Sequence, residues 1–254
     1  MLTEGPYGSG MGLVDLHCHL LPGVDDGALD VQDSVAMARH AVREGFSEIC
    51  ATPHIRHDHD VRIAELAGRV AALGEEFERR EIPLRVLRGG EVAETIVGDL
   101  DDGELQAVCL GGGRWILLEP RPGPLSDSLE ATVDRLALRG FHSLVAHPER
   151  HLTADIFDRL ERLIARGALV QATAAYFEAG PVAAGMLELA GRGLVHVLAS
   201  DAHSSHGGRP VSIAAGLRAL RGVERVAAHI DWIAHTAPAA IVAGDVPQPP
   251  YAAG

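Results

Sequence analysis

The chain has 254 residues, of which 47% are hydrophobic, and its 22 basic and 35 acidic residues give a formal net charge of −13. This size and composition predict a globular protein with a buried core, and they exclude an intrinsically disordered chain. The acidic balance argues against gripping nucleic acid through its phosphates or lying on an anionic membrane. The sequence contains no lysine, which excludes Schiff-base, P-loop and lysine-bridged metal chemistry.

Residues 1–12 are rich in glycine and predict a flexible leader, without the basic and apolar regions of a secretory signal. The three cysteines, Cys18, Cys50 and Cys109, are too widely spaced and too few for a disulfide framework. No stretch has the ~20 apolar residues that cross a bilayer. These features predict a cytoplasmic protein without membrane insertion.

Short apolar runs then alternate with amphipathic segments along the chain. The predicted strands are residues 13–19, 46–52, 84–87, 115–119, 142–147, 168–173 and 195–200. The predicted helices are residues 30–44, 62–80, 126–139, 154–166, 182–192 and 212–221, with an irregular stretch between residues 89 and 113. About seven β-then-α units predict an α/β fold with a parallel sheet, as one closed or nearly closed barrel or as an open doubly wound sheet. We expect one domain at residues 13–243 and a fraying Pro/Gly-rich tail at residues 244–254.

Polar side chains gather where the predicted strands end. In a parallel barrel these ends open onto one face, where active sites lie. Side chains alternate along a strand, so His17 and His19 should point one way and Cys18 the other. The candidate ligands are His17, His19, Asp26, His54, Glu91, Glu119, His147, Asp201 and His203. Imidazole and carboxylate without thiolate suit Mn, Zn or Fe, and nine ligands fit two or three ions better than one.

Several of these features also have a simpler explanation. A single histidine at a strand end is commonly structural, but five strand ends that carry a histidine or a carboxylate favour metal binding. Cys18 after His17 is similar to the start of a cysteine phosphatase loop, but Val24 stands where that loop needs an arginine. Arg150 and Arg209 follow ligand segments, and each is a candidate for binding phosphate or for a surface ion pair.

The segments DLHCHLLPGVDDGA, ATPHI, GGEV, LLEP, AHPERH and ASDAH–GGRP resemble, in this order, the polymerase and histidinol phosphatase (PHP) superfamily. Within it they are most similar to the bacterial manganese-dependent protein-tyrosine phosphatases of capsule and exopolysaccharide loci. The resemblance covers residues 13–220. It implies a single-domain, distorted (β/α)7 barrel of PHP type with three divalent metal ions, Mn²⁺ first and Fe or Zn as alternatives.

The same resemblance implies the roles of individual residues. The first ion would be held by His17, His19, Glu91 and Asp201; the second by Glu91, Glu119 and His147; the third by Asp26, His54 and His203. Arg150 and Arg209 would bind the phosphoryl oxygens. The implied reaction is hydrolysis of phosphotyrosine on a protein, such as an exopolysaccharide-type tyrosine kinase, by in-line attack of a metal-bridging hydroxide. The alternatives are a histidinol phosphatase or other small-molecule phosphoesterase, and a non-catalytic metal-binding PHP module.

Some segments depart from the pattern of the family. His151 stands where the family usually has an aromatic residue, and QATAAY at residues 171–176 replaces a more polar segment. The HDHD run at residues 57–60 predicts a solvated lid rather than a fourth metal site. Glu149 is expected to support Arg150 or a ligand, and His206 is a loop residue or a candidate acid. None of these departures removes a candidate ligand, but they bear on substrate preference.

Overall fold

The computed structural model describes residues 12–178 and 180–253, so all of the predicted leader except Gly12 lies outside the described residues. The strands are β1 Leu13–Cys18, β2 Phe46–Ala51, β3 His54–Ile55, β4 Arg85–Arg88, β5 Glu91–Ala93, β6 Trp115–Glu119, β7 His142–Val145, β8 Leu169–Thr173 and β9 Val197–Ala199. The helices are α1 Val31–Glu44, α2 Ile63–Arg79, α3 Asp102–Val108, α4 Asp127–Leu138, α5 Ile156–Ala165, α6 Ala183–Gly191, α7 Ala214–Leu220, α8 Glu224–Ala227 and α9 Ala237–Ala243. A π-helical turn, Trp232–Thr236, precedes α9.

The strands form two parallel sheets, ordered β1-β2-β4 and β3-β5-β6-β7-β8-β9. The two sheets belong to one curled surface, because β3 continues the path of β2 and β5 continues that of β4. Beyond the end of β9, Ala202 pairs with Cys18 of β1. The backbone N–H of Asp201 donates to the carbonyl of His17 at 2.8 Å. These links close the ring and confirm a distorted barrel rather than an open doubly wound sheet.

The interruptions of two strand paths explain why the barrel is distorted. Pro53 lies between β2 and β3 and cannot donate a ladder hydrogen bond. Between β4 and β5, a side chain at Gly90 would approach Cγ1 of Ile55 to 2.8 Å, so only glycine fits there. After both breaks the pairing resumes with His54 opposite Glu91. The breaks therefore set two polar side chains beside each other at the mouth of the barrel.

Two apolar layers surround the strands. Helices pack on the outside of the sheet, and their ends follow the sequence signals: Asp30 caps α1 and Gly45 ends it with φ of 95°. A second, smaller apolar cluster includes Leu16, Trp115 and Ile241.

The C-terminal tail is packed, so the expectation that it frays is wrong. The indole N–H of Trp115 donates to the carbonyl of Asp245 at 2.8 Å, and the hydroxyl of Tyr251 donates to the carbonyl of Val195 at 2.7 Å. The ring of Tyr251 also stacks on His196, with centroids 6.2 Å apart. The buried Tyr251 ring and these two hydrogen bonds hold the tail in place, although its proline and glycine content predicts flexibility. Over the described ranges, no helix combines the length and the hydropathy that a membrane span requires.

Candidate metal centre

The ends of β1 and β9 bring two histidines and an aspartate together at the C-terminal face of the barrel. The side chains of His17 and His19 point the same way, as predicted, and their Nε2 atoms lie 3.3 Å apart. Oδ1 of Asp201 lies 3.4 Å from Nε2 of His17. All three side chains are buried, and their donor atoms are close enough to share one ion. Cys18 packs in the apolar core instead, as predicted.

Glu91 lies at the centre of the candidate site. Its Oε2 is 3.3 Å from Nε2 of both His17 and His19. The same oxygen is 3.0 Å from Nδ1 of His54. Its other oxygen, Oε1, lies 2.7 Å from Nε2 of His147. Glu91 therefore presents its two oxygens to different sets of imidazoles, as a carboxylate that bridges two ions would.

Two further groups extend the site on the two sides of the His54 ring. Nδ1 of His54 lies 3.6 Å from Oε2 of Glu119. Nε2 of His54 lies 3.4 Å from Oδ1 of Asp26, which is also 3.6 Å from Nε2 of His203. The two groups are His54, Glu91 and Glu119, and His19, Asp26, His54 and His203.

The structure thus brings all nine predicted ligand candidates to one mouth. Eight of them belong to the three groups that could hold a metal ion, and the ninth, His147, contacts Glu91. Among the described residues, none of the groups includes a residue from 57–60. The side chains of His57 and Asp58 are exposed, in accord with a solvated segment.

Two of the candidates have an uncommon backbone conformation. His147 has φ of 37° and Asp201 has φ of 49°. In the part of the chain that the structure describes, Glu81 is the one other non-glycine residue with positive φ. A left-handed conformation costs an L-residue energy, and such strain concentrates at functional sites. His147 follows β7 and Asp201 follows β9, so both strained residues lie at the mouth of the barrel.

The site attracts positive charge. Burial lowers the pKa of His17, but the charges of Glu91 and Asp201 outweigh burial and raise that pKa to about 9. Burial also opposes protonation of His54, but the nearby carboxylates of Glu119 and Glu91 raise its pKa to about 10. For Asp201, burial raises the pKa and the nearby charge of His17 lowers it, with a result of about 2. Bound cations would be stabilised by the same carboxylate charges.

The hydrogen bonding of the cluster is incomplete in a way that suits a metal ion. Oε2 of Glu91 makes no hydrogen bond, although three imidazole nitrogens lie within 3.3 Å of it. Nδ1 of His54 is also buried without a hydrogen bond. Buried polar atoms are nearly always paired, so these converging nitrogen and oxygen atoms fit a divalent cation. The donor set of imidazole and carboxylate suits Mn, Fe or Zn.

Three residues that the sequence pattern does not identify form hydrogen bonds with candidate ligands. Oδ2 of Asp25 accepts a hydrogen bond from Nδ1 of His19 at 2.7 Å. Oε1 of Gln171 accepts one from Nδ1 of His17 at 2.9 Å. Arg56 donates from Nη1 to Oε1 of Glu119 at 3.3 Å. Such partners orient ligands and fix histidine tautomers. The one sequence signal was the Asp25–Asp26 pair, of which only the second was assigned as a candidate ligand.

The two predicted arginines lie beside Asp201. Arg209 donates from Nε to the carbonyl of Asp201 at 2.6 Å, and its Nη2 lies 3.0 Å from Oδ1 of the same residue. Nη2 of Arg150 lies 3.7 Å from Oδ2 of Asp201, and its side chain is 43% exposed. Arg209 is therefore anchored to the site, whereas Arg150 is held loosely at its edge.

The other singled-out residues lie around this centre. Oε2 of Glu149 accepts from the backbone N–H of Thr173 at 3.5 Å, so Glu149 supports the end of β8. Burial raises the pKa of the Glu149 carboxyl. His151 is buried, and its Nδ1 donates to the carbonyl of Gly123 at 2.7 Å. His206 is an exposed loop residue whose Nε2 lies 3.9 Å from Asp33.

Comparison with known proteins places this geometry in context. A family model described as capsular polysaccharide synthesis, CpsB/CapC, matches residues 13–230. The tyrosine-protein phosphatase YwqE of Bacillus subtilis is 36% identical over 76% of this chain and 78% of its own length. The putative tyrosine-protein phosphatase CapC of Staphylococcus aureus is 27% identical over 76% and 77%. A crystal structure from a set of YwqE and Streptococcus pneumoniae CpsB, described as metal-dependent tyrosine phosphatases, matches with a TM-score of 0.80 and 28% identity. It covers 95% of this chain and 99% of that chain.

Proposed function

Since the chain belongs to the CpsB/CapC family of capsular polysaccharide synthesis, we propose that it is a metal-dependent phosphatase that hydrolyses phosphotyrosine on a protein. The similarity to YwqE supports both the reaction and its metal dependence. The single observation that carries the proposal is the position of Glu91, with Oε2 unpaired among three imidazoles and Oε1 on a fourth. A carboxylate in this position suits a cluster of ions.

We assign the nine candidates to three divalent ions, with Mn²⁺ as the preferred metal and Fe or Zn as alternatives. The proposed ligands are His17, His19, Glu91 and Asp201 for the first ion, Glu91, Glu119 and His147 for the second, and Asp26, His54 and His203 for the third. When bound, the ions supply positive charge for the phosphoryl oxygens and lower the pKa of an attacking water. The chain's own part is to hold this charge at the barrel mouth and to orient the phosphate.

Arg150 and Arg209 are proposed to bind the phosphoryl group. Guanidinium groups pair with two phosphate oxygens at once and stabilise the charge that develops during transfer. The anchoring of Arg209 on the carbonyl of Asp201 gives it a fixed position over the site. Arg150, with its one long contact to the aspartate, is free to close on the substrate.

The open mouth favours an aryl phosphate on a protein over a small zwitterion. The side chain of Asp26 at the rim is 57% exposed, and that of Arg150 is 43% exposed. A phosphotyrosine can enter such a mouth from a protein surface. Its phenol leaves with a pKa of ~10, so it needs less protonation than an alkyl alcohol. We propose a tyrosine kinase of exopolysaccharide synthesis as the partner that carries it.

The experiment is phosphate release from a phosphotyrosine peptide and from histidinol phosphate, side by side, with Mn²⁺ and with a chelator. We expect Mn²⁺-dependent release that favours the peptide. His147→Ala and Asp201→Ala should abolish release, while His229→Ala and Asp134→Ala, distant from the site, should retain it. Near-native turnover in either site variant would refute the assigned site.

Two other outcomes would change the proposed substrate or the proposed activity. Preference for histidinol phosphate would keep the metal centre and overturn the substrate. No release from either compound, with Mn²⁺ demonstrably bound, would favour another phosphoester or a non-catalytic metal-binding module.

A further inference from the structure

Residues 56–60, between β3 and α2, lie against the metal centre at two points. Nη1 of Arg56 donates to Oε1 of Glu119 at 3.3 Å. The ring of His59 stacks on that of His54, with centroids 5.0 Å apart and planes inclined by 29°. The segment therefore contacts two candidate ligands, although it belongs to none of the metal-binding groups among the described residues.

The guanidinium of Arg56 is engaged at all three of its nitrogen atoms. Nε and Nη2 donate to the two carboxylate oxygens of Asp58 at 2.5 and 2.6 Å, and Nη1 donates to Glu119. The two parallel hydrogen bonds to Asp58 fix the plane of the guanidinium. Because all of its nitrogen atoms are engaged, the Arg56 guanidinium is poorly placed to bind a substrate phosphate. It is well placed to hold the carboxylate of Glu119.

The two oxygens of Glu119 have different surroundings. Oε1 accepts from Arg56, while Oε2 faces the cluster, 3.6 Å from Nδ1 of His54. A cavity of about 210 Å³, lined in part by Thr95, Glu119 and Arg121, opens beside this carboxylate. Arg121 also lines this cavity, where it pairs with Glu94, and it is a second cation that the Glu119 carboxylate could contact. Without a restraint, the Glu119 carboxylate has both the space and a partner to turn away from the cluster.

We propose that Arg56 is a positioning residue for the metal centre. It holds Oε1 of Glu119 on the outer side and so keeps Oε2 directed at the ion. Asp58 acts indirectly, because it fixes the guanidinium of Arg56, which in turn holds Glu119. The inference rests on the proposed metal centre and extends it to a residue that contacts neither the ion nor the substrate.

The test measures Mn²⁺ affinity directly, by competition with a fluorescent chelator, in the full-length protein. Partners of ligating carboxylates typically contribute ~10–100-fold to metal affinity. We expect Arg56→Ala to weaken binding of at least one Mn²⁺ by that factor, and Arg56→Lys to be intermediate, since lysine keeps the charge without the fork. The control is Arg62→Ala, an exposed arginine nearby that pairs with Glu65.

A second measurement separates positioning from substrate binding. At saturating Mn²⁺ the kcat of Arg56→Ala should return toward the native value with an unchanged KM. An unchanged Mn²⁺ affinity, or a raised KM at saturating metal, would overturn the inference and leave the proposed function intact. If the native protein itself bound none of Mn²⁺, Fe²⁺ and Zn²⁺, the proposed function would fail together with the inference. Unfolding with the chelator present shows whether Arg56→Ala is folded.

Discussion

The carboxylate of Asp25 joins two candidate ligands. Its Oδ2 accepts from Nδ1 of His19 at 2.7 Å and from the backbone N–H of His54 at 2.9 Å. Its Oδ1 accepts from the backbone N–H of Gly27 at 3.0 Å. Burial raises the pKa of Asp25, but the hydrogen bond and charge of His19, together with the backbone hydrogen bonds from His54 and Gly27, bring the pKa to about 2. The acid thus fixes both the ring of His19 and the turn that carries Asp26.

We expect loss of this carboxylate to loosen the metal centre. Asp25→Ala should lower Mn²⁺ affinity or activity by ~100-fold, and Asp25→Asn by ~10-fold, because asparagine keeps one acceptor oxygen. Mn²⁺ titration and phosphotyrosine turnover measure both effects. The control Asp134→Asn should match the native protein. Equal activity of Asp25→Ala and the native protein would exclude this role.

Metal removal should destabilise the protein as well as inactivate it. A ligand that binds only the folded state stabilises it by about 2.7 kcal/mol at a concentration of 100 Kd. We therefore expect Mn²⁺ to raise the Tm of the native protein and a chelator to reverse the rise. Asp201→Asn should show a much smaller Mn²⁺-dependent shift, while Asp134→Asn shifts like the native protein. A Tm that responds to none of Mn²⁺, Fe²⁺ and Zn²⁺ would contradict a metal centre in the folded state.

His196 should make stability depend on pH at the opposite end of the barrel. Burial lowers the pKa of His196 to about 4, and its Nδ1 accepts from the backbone N–H of Val170 at 3.1 Å. The unfolded chain, with a histidine pKa of ~6.5, binds the proton more readily. Stability should therefore fall as the pH drops from about 6.5 to about 4, by up to about 3 kcal/mol.

The variant His196→Asn isolates this contribution. Asparagine can keep an acceptor near the position of Nδ1 but does not titrate. Urea unfolding from pH 4 to pH 7 should give a flatter stability curve for the variant than for the native protein. Parallel curves would show that His196 does not titrate between the folded and unfolded states.

The packed tail makes a prediction of its own. Tyr251→Phe removes the hydrogen bond to the carbonyl of Val195 and keeps the ring. We expect a loss of about 1 kcal/mol in the free energy of unfolding, with unchanged phosphatase activity. Tyr176→Phe is the matched control, because the Tyr176 hydroxyl makes no hydrogen bond within the described ranges. Equal stability of Tyr251→Phe and the native protein would mean that the tail contributes little.

Strand ends were predictable because apolar runs, polar termini and glycine caps repeat along the chain. All nine ligand candidates lie at or after the ends of predicted strands, and parallel topology alone gathers them at one face. The short strands β3 and β5 were not predicted, because two or three residues show no periodicity. The short helices α3, α8 and α9 were missed for a similar reason.

The supporting residues required the tertiary structure. Gln171 is 154 positions from His17, and Arg56 is 63 positions from Glu119, so no local pattern pairs them. The composition of the tail predicts fraying because composition does not show the aromatic residues against which Tyr251 packs. Tyr251 meets Trp232 and His196 only after the barrel closes.

If His147 and Asp201 bind metal as proposed, their left-handed backbone trades folding stability for function at two positions. A side chain in that conformation costs roughly 1–2 kcal/mol, which glycine would recover. His147→Gly should therefore be about 1 kcal/mol more stable than His147→Ala, although both variants lack the imidazole. A search for thermostable variants that ignored activity would favour glycine here and thereby remove a proposed metal ligand.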